Sequence, residues 1–479
     1  MNNIYMIDLK TLTIKKAHEA FKKGDYTCVD LTQAYLNEIS KKNKEINAYL
    51  EVFDDAMEQA KEADKRFEDG TATLLTGIPF AIKDIILIKG CIATAASKIL
   101  ENYRATYDAT VIEKLKKEGV VFLGRTNMDE FAFGSSTENS AYGPTRNPYD
   151  MSRVPGGTSG GSAASVASMM SLVALGSDTG GSVRQPAALC GNVGLKPTYG
   201  AVSRYGLMAA ASSLDHIGPI TKNISDAEIV FNTIKGQDIK DGTTIKEDTY
   251  KTKRIGRKPI IGIPRHFLGG DGIHKDVLKN FNDSIEKFKK LGYEVKDINL
   301  PNISYSLSVF YIINFAEASS NLSRFDSVRF GLHKDGKDGI DDFFVTRGVG
   351  FGKEARRRIL LGTYILSSGY YDAYYNRANV VRRIITQDFM KEFEKVDIIM
   401  TPTTPAPAFK IGEKVSDPVA MYLEDIFTVT ADLTGMPAIS IPSGFSKIEG
   451  KDLPLGLQIT ARHGDERTLF EVGKEFLGE

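Results

Sequence analysis

Apolar and polar residues follow a helical period in the first part of the chain. Residues 30–65 carry apolar positions at helical spacing, which predicts surface helices packed on a core along one side. Residues 108–119 (DATVIEKLKKEG) have the same period, and the apolar run VVFLGRTN after them predicts a short strand. A helix followed by a buried strand indicates an α/β architecture.

The glycine- and serine-rich centre of the chain predicts tight packing rather than a flexible linker. SAASVASMM places small residues at helical spacing, as a closely packed central helix requires, and SLVALGSD predicts a short buried strand. Upstream, residues 74–90 (LLTGIPFAIKDIILIKG) carry Pro79 between two apolar arms, which predicts a buried strand pair or a bend. The uncharged run from Val154 to Ser177 contains too much Gly, Ser and Thr for a membrane span.

The second half of the chain continues the alternation of helices and strands. Residues 238–258 are polar and predict an exposed connection, and PIIGIPRHF and the helical HKDVLKNFNDSIEKFKKLGY follow it. Residues 305–395 are mostly helical, and VDIIMTPTTPAP, MPAISIPSGF and LPLGLQITA predict three late strands. We therefore predict an N-terminal helical segment over 1–70 packed on one α/β domain over 71–479, with the helical insertion at about 305–395.

Charge and cysteine usage narrow the function classes. The 61 basic and 61 acidic residues cancel, so no net positive field would hold nucleic acid or a membrane surface, and any RNA would be gripped mainly by a partner protein. The three cysteines, Cys28, Cys91 and Cys190, are far apart and form no CxxC pair, which fits a reducing cytoplasm rather than a disulfide framework. The N-terminus lacks the order of a signal peptide, and the six histidines have no metal-ligand spacing.

Two glycine-rich segments, 156–162 (GGTSGGS) and 176–186 (GSDTGGSVRQP), carry the candidate chemistry. Neither contains GxxxxGK[ST], nor GxGxxG after a strand, so a phosphate-binding loop is not favoured. The first segment matches GxSxG around Ser159, but a proline- and glycine-containing loop precedes it where a nucleophile elbow needs a strand. A serine nucleophile in these segments would therefore need a base other than the histidine of a Ser-His-Asp triad.

Lys83 is a candidate for that base because isoleucines flank it in GIPFAIKDIILIKG. Burial can lower the pKa of a lysine from about 10.4 until its neutral form accepts a proton. Taken alone, Lys83 is better explained as a strand lysine whose ammonium reaches solvent and pairs with Asp84. The two serine-rich segments favour the catalytic interpretation.

Together, GIPFAIKD, GGTSGGS and DTGGS resemble the amidase signature, whose members use a Ser–cis-Ser–Lys triad. The resemblance implies a mixed β-sheet covered by helices on both faces, with Ser182 as nucleophile and Lys83 as base. The bridging serine of the family, which follows a cis peptide bond, corresponds here to Thr158, which keeps the hydroxyl and adds a methyl group; Ser159 is the alternative hydroxyl. The expected oxyanion donors are the backbone N–H groups of Thr179, Gly180, Gly181 and Ser182, and Asp178 and Arg184 are expected to brace this loop.

Longer blocks resemble a branch of that family, the A subunits of the Glu-tRNA(Gln) amidotransferases. These blocks are YGAVSRYGLMAAASSLDHIGPIT, EASSNLSRFDSVRFG and GFGKEARRRILLGTYILSSGYYDAYY. The resemblance implies a glutaminase in a heterotrimer whose B subunit uses the ammonia, ATP and Mg²⁺ to convert Glu-tRNA(Gln) to Gln-tRNA(Gln). A C subunit would join the other two, the tRNA would be bound mainly through the partner, and this chain would need no cofactor or metal of its own.

The same resemblance assigns the residues that bind glutamine. Arg358 would hold the α-carboxylate and Asp425 the α-amino group. The family often has a tyrosine where this chain has Phe310, so Tyr311 is the candidate for that hydroxyl. Without the resemblance, Arg358 would be taken as a solvated helix arginine. Two alternatives stay open: a stand-alone amidase acting on small amides, and a structural subunit that has lost catalysis, which Thr158 makes conceivable.

Overall fold

A large mixed β-sheet runs through the molecule in the computed structural model, which describes residues 7–246, 249–250, 256–269 and 272–479. The strand order across the sheet is β1-β3-β2-β4-β6-β5-β10-β11-β9-β7-β8. The strands are β1 (Tyr49–Val52), β2 (Pro79–Lys83), β3 (Val121–Thr126), β4 (Val173–Asp178), β5 (Val193–Lys196), β6 (His216–Thr221), β7 (Ile261–Ile263), β8 (Val295–Asp297), β9 (Ile398–Pro402), β10 (Ala438–Ile448) and β11 (Lys451–Ala461).

Helices separate most of these strands along the chain, as expected for an α/β fold. The helices are α1 (Ile14–Lys23), α2 (Cys28–Ile46), α3 (Ala56–Glu68), α4 (Thr110–Glu118), α5 (Gly160–Ala167), α6 (Arg184–Leu189), α7 (Ile224–Ile234), α8 (Arg265–Leu268), α9 (Lys275–Lys290), α10 (Ser306–Leu322), α11 (Gly339–Gly350), α12 (Lys353–Leu366), α13 (Arg377–Glu392), α14 (Pro418–Tyr422), α15 (Val429–Thr434) and α16 (Glu466–Leu477).

The centre of the sheet positions the candidate chemistry. Strands β2 and β4 are parallel neighbours, with Phe80 opposite Val173 and Ile82 opposite Leu175. Because parallel strands end at the same edge of a sheet, Lys83 at the end of β2 lies beside the loop that follows β4. Both strands consist of buried residues along their whole length. The sheet therefore brings the candidate base and the second glycine-rich segment together.

Helix α5 packs as closely as its small residues predict. A β-carbon at Gly160 would lie 2.1 Å from the Thr137 hydroxyl, and one at Gly161 would lie 2.4 Å from the Asn127 carbonyl oxygen. Such distances leave no room for a side chain, so the glycines let the helix approach its neighbours. The prediction of a tightly packed central helix followed by a buried strand is confirmed by α5 and β4.

The structure corrects three points in the N-terminal third. Residues 30–65 do form helices α2 and α3, but β1 lies between them. Of the two interpretations of residues 74–90, the strand pair is wrong and the bend is confirmed: the segment contains one strand, β2, and the chain turns directly after Lys83, where the Ile86 N–H donates to the Lys83 carbonyl at 2.9 Å. The alternative interpretation of Lys83, as a strand lysine paired with Asp84, is wrong, because Asp84 binds the Arg125 guanidinium at 2.8 Å.

The predictions for the second half agree with the observed elements. Residues 305–395 contain α10 to α13, and the three late strands are β9, β10 and β11. Within the polar connection at 238–258, residues 247–248 and 251–255 lie outside the described residues. In the part of the chain that is described, no helix is long and apolar enough to cross a membrane. The division into a segment over 1–70 and a domain over 71–479 stays a prediction.

Candidate active site

Lys83 is fully buried, and within the described residues the hydrogen-bond partners of its Nζ are hydroxyl and carbonyl oxygens. Its Nζ lies 2.7 Å from Thr158 Oγ1, 2.8 Å from Ser159 Oγ and 2.9 Å from Ser177 Oγ. No ion pair involves Lys83 among the described residues. Burial lowers the pKa of Lys83 to about 7, although the more distant carboxylates of Asp129, Asp178 and Asp215 act to raise it. The amine can therefore be neutral near neutral pH and accept a proton.

Two of these three hydroxyls, those of Thr158 and Ser159, belong to a loop that is held in place by hydrogen bonds of its backbone. The peptide bond between Gly157 and Thr158 is cis. The Gly157 N–H donates to Gln185 Oε1 at 2.7 Å, and the Ser159 N–H donates to the Ser182 carbonyl at 3.1 Å. Ser159 follows this loop rather than a strand and directly precedes α5, so the geometry of a nucleophile elbow is absent here.

The structure brings both candidate bridging hydroxyls within reach of Lys83, and their removal distinguishes them. We expect Thr158→Ala to lower amide hydrolysis by about 10²-fold or more, because the relay oxygen is lost. Thr158→Ser should keep most of the activity, because only a methyl group is removed. Ser159→Ala should cost less than Thr158→Ala, as measured by kcat/KM. A larger loss in Ser159→Ala would assign the relay to Ser159 instead.

Ser182 lies in the turn between β4 and α6 and is 7% exposed. Its hydroxyl makes no hydrogen bond with the part of the chain that the structure describes, whereas its carbonyl accepts the N–H of Ser159. The backbone of Ser182 is thus fixed by a hydrogen bond, whereas its hydroxyl is slightly exposed and has no hydrogen-bond partner among the described residues. A hydroxyl in this position is available to a substrate and to a proton acceptor.

The two glycines of this turn are required because side chains of other elements pack closely against them. A β-carbon at Gly180 would lie 2.4 Å from the Phe310 ring, and one at Gly181 would lie 2.3 Å from the Thr428 hydroxyl. Gly181 also has a φ of +126°, which other residues rarely adopt. The absence of side chains at these two positions therefore lets the turn pack against Phe310 and Thr428.

One predicted oxyanion donor needs correction. The Gly181 N–H donates to Asp178 Oδ1 at 2.7 Å, so this group already serves the loop itself. Within the described residues, the N–H groups of Thr179, Gly180 and Ser182 have no hydrogen-bond acceptor. These three remain the candidate donors to an oxyanion.

Asp178 and Arg184 brace the loop, as expected. Arg184 is fully buried and binds both oxygens of Asp178, at 2.9 and 3.0 Å, and Asp432 Oδ2 at 2.6 Å. Burial alone would raise the pKa of Asp178, but the Arg184 guanidinium holds that pKa well below its usual range. Asp178 also accepts the N–H groups of Gly181 and Val183. The ion pair thus holds both ends of the turn around Ser182.

The bracing arginine should matter mainly for stability. Arg184→Met removes the cation and leaves two buried carboxylates, Asp178 and Asp432, without their partner. We expect the free energy of unfolding to fall by about 3–5 kcal/mol. Arg467→Ala is the control, because its ion pair with Glu471 is exposed and such pairs contribute under about 1 kcal/mol. Urea unfolding measures both; equal small losses would show that the buried pair is not what holds the loop.

Asp425 and Tyr311, both predicted to bind glutamine, are in direct contact. The Tyr311 hydroxyl donates to Asp425 Oδ2 at 2.7 Å, and the Ser135 hydroxyl lies 2.9 and 3.0 Å from the two Asp425 oxygens. Burial raises the pKa of Asp425 to about 7, against the lowering effect of these two donors. A cationic amino group beside Asp425 would favour its ionised form.

Arg358 is buried, at 3% exposure, so the interpretation as a solvated helix arginine is wrong. Its Nε donates to Glu354 Oε1 at 2.9 Å and its Nη1 to Asn314 Oδ1 at 2.8 Å. The guanidinium lies 4.8 Å from the centre of the Phe133 ring and 5.7 Å from that of Tyr311. Arg358 and Asp425 are therefore linked through Tyr311, an arrangement suited to the two charged ends of an α-amino acid.

Several residues of this site were not predicted. Ser135, Glu354, Asn314 and Tyr422 surround Asp425, Tyr311 and Arg358. Only Glu354 left a signal in the sequence, since it lies four residues before Arg358 and can pair with it along one helix face. Tyr422 stacks on Tyr311, with ring centres 4.1 Å apart, and its hydroxyl lies 3.0 Å from Glu354.

A small cavity of about 70 Å³ adjoins this cluster and is lined in part by Ser136, Glu354 and Tyr422. None of the predicted catalytic residues lines it. Across the residues that the structure describes, no group of three or more His, Cys, Asp or Glu side chains could hold a metal ion. The candidate site is thus built from a lysine, hydroxyls and backbone N–H groups.

Comparisons with known proteins show to which family the chain belongs. The sequence profile of the family described as Amidase matches residues 30–470. The A subunit of the glutamyl-tRNA(Gln) amidotransferase of Thermoanaerobacter pseudethanolicus is 52% identical over 98% of this chain and 96% of its own length. The protein of the same name from Caldanaerobacter subterraneus subsp. tengcongensis is 50% identical, over 98% of this chain and 96% of its own.

Solved structures share the fold as well. The crystal structure of the A subunit of the glutamyl-tRNA(Gln) amidotransferase of Thermotoga maritima has a TM-score of 0.79 and 42% identity, covering 98% of this chain and 95% of that one. A peptide amidase in complex with the inhibitor chymostatin has a TM-score of 0.82 and 28% identity, covering 98% of each chain. With a profile match over nearly its whole length and relatives at about half identity, this chain belongs to the amidase family.

Proposed function

We propose that this chain is the glutamine-hydrolysing A subunit of a Glu-tRNA(Gln) amidotransferase. The observation that carries the proposal is the 52% identity to a protein of that name over 98% of the chain. The buried Lys83, in contact with Thr158 and Ser159, supplies a base suited to amide hydrolysis. The linked cluster of Arg358, Tyr311 and Asp425 supports glutamine as the substrate rather than a neutral amide.

The reaction starts with attack of Ser182 Oγ on the side-chain amide carbon of glutamine. The Ser182 proton passes to the Thr158 hydroxyl, and the proton of that hydroxyl passes to neutral Lys83. The N–H groups of Thr179, Gly180 and Ser182 stabilise the oxyanion of the tetrahedral intermediate, and loss of one such donor costs about 2.7–4 kcal/mol. The lysinium then returns the proton to the leaving nitrogen.

Collapse of the intermediate breaks the C–N bond and releases ammonia, leaving a γ-glutamyl ester on Ser182. Water hydrolyses this ester, with Lys83 again accepting a proton through Thr158, and glutamate leaves. Arg358 holds the α-carboxylate and Asp425 the α-amino group, so the amide is directed at Ser182. Tyr311 fixes the Asp425 carboxylate from the position next to Phe310.

The ammonia is used in the assembly rather than by this chain. A B subunit uses ATP and Mg²⁺ to activate the glutamate of Glu-tRNA(Gln) and forms Gln-tRNA(Gln), and a C subunit joins the two. The absence of net charge on this chain fits binding of the tRNA mainly through the partner. No ATP or metal is used in the glutaminase step itself.

Arg358 distinguishes a glutaminase from an amidase that acts on small neutral amides. Arg358→Ala should lower kcat/KM for glutamine by about 10²-fold or more, because a buried charge-assisted fork to the α-carboxylate is lost. Turnover of a small neutral amide should fall much less. Arg357→Ala is the control, since Arg357 pairs with the same Glu354 but is only partly buried. Equal losses with both substrates would favour the stand-alone amidase.

Reconstitution tests the assembly. The chain is co-expressed with the B and C subunits encoded by the same organism, and ammonia release and Gln-tRNA(Gln) formation are measured with and without ATP and Glu-tRNA(Gln). We expect the three proteins to co-purify, and glutamine hydrolysis to rise when the partner is supplied with ATP and Glu-tRNA(Gln). Full hydrolysis by the isolated chain, with no Gln-tRNA(Gln) formed by the mixture, would contradict the proposal.

A further inference from the structure

Proton transfer to Lys83 creates a buried positive charge that has no contacting anion in the structure. The atoms within hydrogen-bond distance of Lys83 Nζ are hydroxyl and carbonyl oxygens of Thr158, Ser159 and Ser177. A buried cation without a counter-charge is costly, and a base that forms such a cation is weakened by that cost. The mechanism therefore needs a negative charge close by.

Asp129 is fully buried and lies directly against residues 157–159, which we call the relay segment because they carry the Thr158 hydroxyl. Its backbone N–H donates to the Thr158 carbonyl at 3.4 Å. A β-carbon at Gly157 would lie 2.3 Å from Asp129 Oδ2, so the carboxylate packs on the Gly157–Thr158 peptide with no side chain between them. No ion pair of Asp129 is found among the described residues, and its charge is thus not neutralised by contact.

The Asp129 carboxylate also binds the loop of residues 135–139, which we call the substrate loop because it reaches the cluster of Arg358, Tyr311 and Asp425. It accepts the N–H groups of Thr137 at 2.7 Å, Asn139 at 3.1 Å and Ser136 at 3.4 Å. The same loop contains Ser135, whose hydroxyl contacts Asp425. Asp129 therefore lies between the relay segment and the residues that hold the substrate.

We propose that Asp129 is a positioning residue that supplies the counter-charge for the lysinium formed at Lys83 and holds the relay segment against the substrate loop. The proposal rests on the proposed function, because it assumes that Lys83 accepts the proton from Ser182. It adds a residue that touches neither the substrate nor the reacting atoms.

Other charged groups near Lys83 are less suited to this role. Asp178, at the end of β4, is neutralised by Arg184. Asp215, just before β6, binds the Thr179 hydroxyl and two backbone N–H groups, and within the described residues it makes no hydrogen bond to the relay segment. It also raises the pKa of Lys83 less than Asp129 does. Burial raises the pKa of the Asp129 carboxyl to about 7, the N–H groups of Asn139 and Thr137 act to lower it, and the nearby Glu138 charge acts to raise it. The Asp129 charge in turn raises the pKa of Lys83, and it does so more than the other carboxylates do.

The test follows the rate at which a fluorophosphonate labels Ser182, as a function of pH. This probe needs neither glutamine nor partner proteins, and peptide mapping confirms the labelled residue. In the wild type the rate should rise with pH through about 7, as Lys83 loses its proton. In Asp129→Asn the midpoint should fall by about one pH unit, and the plateau rate by about tenfold, because the lysinium has lost its counter-charge.

Two further variants make the result decisive. Asp129→Ala serves if the asparagine amide clashes with the N–H groups of the loop, and the same shift of the midpoint is expected. Asp226→Asn is the control, because Asp226 is also buried and accepts a backbone N–H, from Ile14, far along the chain from the site residues. Its midpoint and plateau should match the wild type.

The outcomes separate this inference from the proposed function. A slower plateau with an unchanged midpoint in both Asp129 variants would show a merely structural role and overturn the inference. A wild type that is not labelled at Ser182 would overturn the proposed function itself. A shift of the midpoint to higher pH would contradict the inference, because an anion cannot lower the pKa of a neighbouring lysine.

Discussion

Replacing Ser182 by alanine is expected to abolish glutamine hydrolysis while leaving the protein folded. Without the nucleophilic oxygen no acyl-enzyme can form, and we expect kcat to fall by about 10⁴-fold or more. The fold should be unaffected, because the Ser182 hydroxyl has no hydrogen bond within the described residues and its carbonyl still accepts the Ser159 N–H. Ammonia release measures the first effect and thermal unfolding the second.

A matched control for that variant is Ser284→Ala. Ser284 is another buried serine, on α9, whose hydroxyl donates to the Asn280 carbonyl of its own helix at 2.8 Å. It lies outside the candidate site, so its loss should leave kcat unchanged. If Ser182→Ala kept more than a small fraction of the wild-type rate, the nucleophile would have to be another residue.

The second large loss of activity is expected when Lys83 is replaced by methionine. Methionine fills a similar volume in the buried position but cannot accept a proton, and we expect kcat/KM to fall by about 10³–10⁴-fold. Lys83→Arg should be equally inactive, because a guanidinium stays protonated at any pH near neutrality. This second variant separates a base from a mere positive charge. Lys89→Met is the control, because Lys89 lies in the same segment, residues 74–90, but in an exposed position.

The wild-type enzyme should show the titration of this amine. Because burial lowers the pKa of Lys83 to about 7, kcat/KM should rise as the pH rises through that value and the neutral base becomes populated. This acid limb should be missing from the residual activity of Lys83→Met. An active Lys83→Arg variant, or an unchanged pH profile in Lys83→Met, would assign the base to a different group.

The sequence was sufficient to predict the elements that carry the chemistry. The small residues before β4 predicted a close-packed helix, and the apolar run that ends at Asp178 predicted the strand that positions Ser182. These features are local, so spacing and composition determine them. The apolar neighbours of Lys83 made it a candidate base, and the resemblance to the amidase signature supplied its role and that of Thr158.

The contacts that complete the site join residues far apart in the chain and could not be predicted. Ser135 and Asp425 are separated by 290 positions, yet their side chains bind each other. Whether the Gly181 N–H is already hydrogen-bonded depends on the direction in which the Asp178 carboxylate points. The burial of Arg358 depends on how α12 packs against α10. Such features are decided by tertiary packing and by which buried polar groups need partners.

β1 was missed for a related reason. It contains only Tyr49–Val52 and lies between two strong helical segments, so its short pattern is hidden by theirs. Its pairing with β3 is set by the sheet as a whole rather than by local preference.

The central claim is that a neutral, buried Lys83 activates Ser182, and covalent labelling tests it most directly. A fluorophosphonate is applied above neutral pH to the wild type and to Lys83→Met, and the adduct is mapped by mass spectrometry. We expect a single adduct on Ser182 in the wild type and labelling that is at least about 10³-fold slower in Lys83→Met. An adduct on Ser159 or Thr158, or equal labelling rates in the two proteins, would contradict the claim.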